Sequence, residues 1–73
     1  MNFLSKKVLD FQKKKLESSE ETLKKYIQEI ERLEKIKNSD NSKEIKNNQK
    51  MIKIWIDNIE KIKKEIKKLE SRQ

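Results

Sequence analysis

The chain has 73 residues, with 20 lysines and arginines against 13 aspartates and glutamates, a formal net charge of +7, and no Gly, Pro, Cys or His. Those gaps exclude a disulfide framework, a thiolate nucleophile, a Cys-ligated zinc, a glycine-cradled phosphate loop and the imidazole that usually serves as base or metal ligand near neutral pH. They also argue against tight hairpins, which need Gly or Asn at positive φ. The charged fraction of 45% and hydrophobic fraction of 32% lie toward the disordered end of composition, so the placement of the apolar residues has to decide the fold.

Helix 1 is expected over residues 3–37. Leu9, Leu16, Leu23 and Ile30 recur every seven residues, with Gln12, Ser19, Tyr26 and Leu33 between them. This is a heptad 3-4 alternation, and its polar members weaken the seam toward the N-terminus. Leu4, Val8 and Phe11 form a second, shifted stripe, and Ile27 and Ile36 broaden the far end. The simplest use of the Phe3, Leu4, Val8 and Phe11 face is packing on helix 2. With Lys6 and Lys7 beside it, a loose N-terminus could instead lie on a membrane surface, but packing on helix 2 is the expectation. Ser18-Ser19-Glu20-Glu21 resembles a capping box. The apolar series runs through it without a change of phase, so the helix is expected to continue.

Residues 38–41 form the expected loop. Asn38 can end helix 1 in place of Gly, and Asn41 with Glu44 fits a capping box for helix 2, with Ser42 as the alternative cap. A loop this short makes the two helices antiparallel neighbours.

Helix 2, expected over residues 42–71, carries the stronger signal. Ile45, Ile52, Ile59 and Ile66 alternate with Asn48, Trp55, Ile62 and Leu69 over four heptads. Met51, Ile54 and Ile56 widen this stripe beyond what one facing helix needs. Asn48, Gln12 and Ser19 are polar on the seam. Each is either a solvated position or a buried polar residue that fixes register. An antiparallel turn places Tyr26 roughly opposite residue 54, near Trp55.

The fold class expected is therefore all-α: a single hairpin domain of two long antiparallel helices over residues 1–73, completed as a four-helix bundle by homodimerisation, because chains this small bury little on their own. The charge is polarised. Residues 1–17 hold five lysines against two acids, and residues 57–73 hold six basic residues against four acids. The hairpin brings both groups to one end.

Function is expected to be non-catalytic: a protein-interaction, adaptor or effector module. Its interface residues are expected to be Tyr26, Ile30, Met51, Ile54, Trp55, Ile56, Ile59 and Ile62, since large aromatic and aliphatic side chains concentrate at hot spots. The alternative is a small basic regulator that contacts nucleic-acid phosphates through Lys6, Lys7, Lys13, Lys14, Lys64, Lys67 and Lys68. Two arginines are few for base reading. Carboxylate pairs such as Glu31 and Glu34 have no evident pocket to tune them. No cofactor, metal or small-molecule substrate is expected. The longest apolar run is only three residues, Ile54 to Ile56, too short to span a bilayer. No secretory signal is evident, so a soluble protein is expected, either cytoplasmic or secreted after a signal is removed.

Overall fold

A computed structural model describes residues 3–36 and 41–71. Helix α1 spans Phe3–Lys35 and α2 spans Asn41–Ser71. They pack along their length into an antiparallel rod of 55 × 14 × 12 Å. The all-helical hairpin expected from the heptads is what forms. Both helices last because no Gly or Pro interrupts either one.

The heptad positions make the seam. All sixteen of the residues assigned to it, eight per helix from Leu9 to Leu33 and from Ile45 to Leu69, are buried or half-buried. The core is thin. Leu9, Leu33, Ile59, Ile62 and Ile66 are its buried hydrophobic members, and no described side chain is fully buried. Leu9, Ile62 and Ile66 cluster at the end near the termini, with Leu16 and Leu69 packed against them. Leu9 and Leu16 of α1 thus meet Ile62, Ile66 and Leu69 of α2, as an antiparallel hairpin requires.

Helix α1 does not break at Ser18. Ser19 is 4% exposed, and its hydroxyl donates to the Lys15 carbonyl at 2.7 Å. Thr22 does the same to the Ser18 carbonyl at 3.0 Å. The hydroxyls that could have capped a new helix instead bond back onto the existing one. Asn48 behaves alike, its amide donating to the Glu44 carbonyl at 3.1 Å. Ser19 and Asn48 are thus satisfied within their own helices.

The turn departs from expectation on both sides, and α1 stops at Lys35, short of the expected residue 37. Asn41 already lies in α2, one residue earlier than anticipated. Its side-chain amide N–H groups reach back to α1, donating to the Leu33 carbonyl at 3.2 Å and the Ile36 carbonyl at 3.1 Å. The Ile36 N–H also donates to the Leu33 carbonyl at 3.2 Å. Asn41 therefore supplies a donor to the Ile36 carbonyl and a second donor to the Leu33 carbonyl from the start of α2, and so ties the helices together. The expected cap at Asn38 lies outside the described residues.

The second correction concerns the N-terminal apolar stripe. It does not pack on α2. Leu4 is 72% exposed, Phe3 70% and Phe11 63%, and Val8 is exposed beside them. Leu9 and Leu16 win the place facing α2 because their heptad phase continues through Leu23 and Ile30, which leaves the shifted stripe outside.

Candidate interaction surface

The two flanks of the seam differ. On one, Leu23 and Ile59 form the floor of a groove of about 560 Å³, with Ile27 and Ile56 on its walls and Glu20 and Lys63 among its rim residues. Ile27 is 41% exposed and Ile56 42%, so this flank is only half closed. Each isoleucine sits one residue past a seam position, where a third or fourth helix would cover it.

On the other flank, a smaller groove of about 290 Å³ is lined by Lys15, Ser19, Trp55, Asn58, Lys61 and Ile62. Trp55 is half-buried there. Its indole Nε1 is buried and has no hydrogen-bond acceptor among the described residues. The small Ser19 side chain leaves room on this side for the indole. Toward the turn, Arg32 and Glu29 form a bidentate pair, with Arg32 Nε donating to Glu29 Oε2 at 3.2 Å and Nη2 to Oε1. The hydrogen bond from Arg32 holds the Glu29 carboxyl below the usual range, against the opposing effect of desolvation and with a lesser contribution from the Arg32 charge. The same bond raises Arg32, and the charge of Glu44 across the seam adds to it.

Of the eight residues expected at a protein interface, Ile59 and Ile62 are buried between α1 and α2, and Tyr26, Ile30, Met51 and Trp55 are half-buried along the same seam. They build the hairpin. Only Ile54 and Ile56 are exposed, Ile54 on the outer face of α2 and Ile56 on the open groove. The seven lysines expected to meet phosphate, Lys6, Lys7, Lys13, Lys14, Lys64, Lys67 and Lys68, are all exposed near one end of the rod. Lys64, Lys67 and Lys68 line one shallow groove with Ser71, and the α1 lysines are not among its lining residues. Asp10, Glu17, Glu65 and Glu70 are interspersed among the seven lysines.

Sequence reasoning passed over Ile27 as a site residue. The available signal was its spacing, since Ile27 and Ile56 both follow a seam aromatic directly. It also misplaced Phe3, Leu4, Val8 and Phe11, whose repeat at i, i+4 and i+7 is as regular as that of a buried stripe. Lys7 lies over the Phe3 ring at 4.6 Å from its centroid, a cation–π contact on the surface. Among the described residues no helix is long and apolar enough to cross a membrane. No protein-family model matches the chain, and no curated protein or solved structure matches it.

Proposed function

We propose that the hairpin is a non-catalytic protein-interaction module that pairs with a second copy of itself through the open flank, forming a four-helix bundle. The observation that carries this reading is the pair Ile27 and Ile56, half exposed over a groove floored by Leu23 and Ile59. Covering such a face removes apolar area from water and adds to a core that one chain leaves thin.

The charges along the flank favour a second copy as the occupant. Glu20 and Lys63 share the groove rim, one on each helix. Two turns further toward the termini, Lys13 and Glu70 stand in the same relation with the signs exchanged. A copy turned about an axis along the rod sets α1 of each chain against α2 of the other. Glu20 of one copy then meets Lys63 of the other, Lys13 meets Glu70, and four isoleucines meet at the centre.

The test is the molar mass by light scattering across a concentration series. The expected result is a mass approaching twice 8.9 kDa as concentration rises, and a return to the single-chain value in Ile56→Glu. A wild-type chain that stays at the single-chain mass throughout would overturn the reading. The alternative of a basic regulator on nucleic acid rests on the exposed lysines alone, among which Asp10, Glu17, Glu65 and Glu70 are interspersed.

A further inference from the structure

We propose that the outer face of α1 near its N-terminus is a docking surface for an anionic phospholipid bilayer. Phe3, Leu4, Val8 and Phe11 are the most concentrated exposed apolar group on the rod. Contiguous apolar side chains left in water mark an interaction site more often than scattered ones do. At 3.6 residues per turn, Leu4, Val8 and Phe11 stand one above another on one side of α1.

The surroundings of this stripe identify the occupant by charge. Lys15 falls in line with it, and Lys7 and Lys14 stand directly alongside. Asp10 and Glu17 fall further round the helix. Across the seam on the same side, Lys61 lines the groove with Lys15 and Trp55, and Lys68 follows two turns later with Glu65 as the one acid between them. The face is thus an apolar ridge bordered by lysines and nearly free of carboxylates. A helix of this kind lies in the plane of a membrane, with its apolar side chains below the headgroups and lysines reaching the phosphates.

Docking of this kind uses the opposite side of the rod from the Ile27–Ile56 groove, so it stands or falls independently of self-association. The stripe residues are exposed, and replacing them leaves the hairpin core intact.

The experiment is co-sedimentation of the full chain with vesicles at low salt, using phosphatidylcholine alone and an equal mixture of phosphatidylcholine and phosphatidylserine. The expected result is binding to the mixed vesicles that is weak on phosphatidylcholine, falls with added salt, and drops by roughly tenfold or more in the double variant Leu4→Ser, Phe11→Ser. Circular dichroism of that variant is expected to match wild type. Absence of binding to the mixed vesicles overturns the proposal. So does equal binding by the double variant, which would make the attraction one of charge alone. Duplex DNA displacing the chain from vesicles at equal phosphate would assign the lysines to nucleic acid and overturn it too. A loss of self-association in the double variant would assign the stripe to a second copy, with the same consequence.

Discussion

Replacing Asn41 with Asp separates two roles that the sequence alone cannot distinguish. An N-cap works through a side-chain oxygen, which Asp supplies as well as Asn. A carboxylate also gains about 0.3–1 kcal/mol from the positive end of the α2 dipole. If Asn41 served only α2, Asn41→Asp would be neutral or stabilising. The structure instead uses the amide N–H groups, which donate to the Leu33 and Ile36 carbonyls at 3.2 and 3.1 Å. Aspartate loses both bonds and sets a negative charge against two carbonyl oxygens. Each bond contributes about 1 kcal/mol net. The Ile36 side is exposed and water replaces part of that loss, while the dipole offsets some of the remainder. The net expectation is destabilisation by about 1 kcal/mol, or about 4–8 °C in a chain of this size. Thermal unfolding followed by circular dichroism at matched chain concentration measures it, since association would otherwise shift the midpoint. Acidification is expected to recover part of the loss, because a protonated Asp regains one donor. An Asn41→Asp chain as stable as wild type at neutral pH would refute the role assigned to the amide.

Two further outcomes follow from the same geometry. Ser19→Ala is expected to leave the chain as stable or to stabilise it by up to about 0.5 kcal/mol in urea unfolding, because the hydroxyl bonds only to its own helix and Ala is the better helix former; marked destabilisation would mean that the hydroxyl holds the register. In Arg32→Gln the Glu29 carboxyl is expected to titrate higher by NMR, since the depressing hydrogen bond is gone. With its folded pKa depressed, Glu29 contributes stability that is fully present above the unfolded carboxyl pKa and is lost as pH falls through the folded value. An unchanged Glu29 titration in the variant would show that the pair does not persist in solution.

What could be read in the chain, and what could not, has a physical reason in each case. The seam was legible because Leu9 through Leu33 and Ile45 through Leu69 repeat over four heptads per helix, and the polar members did not break the phase. The continuity through Ser18 was legible for the same reason. The outer stripe was not, because Leu4, Val8 and Phe11 keep a helical repeat of their own and only the position of α2 decides which repeat is covered. The direction of the Asn41 amide was also out of reach. It depends on where the last carbonyls of α1 come to rest, a contact made across the turn rather than along the helix. Among the interface candidates, Trp55 and Ile59 carried the right chemistry for a binding surface, but a hairpin needs such residues for its own seam first. The open flank falls to Ile27 and Ile56, which sit at the edge of the repeat.

The claim that this flank pairs with a second copy in a defined orientation is most directly tested by disulfide trapping, which the absence of native cysteine makes clean. Chains carrying Ile27→Cys and chains carrying Ile56→Cys are mixed and oxidised gently. The mixed disulfide is expected to form rapidly, well ahead of either self-linked pair, because α1 of one copy faces α2 of the other at this level and the bond tolerates only close approach. Mixed and self-linked pairs forming at the same slow rate, as for chains that meet only by collision, would contradict it.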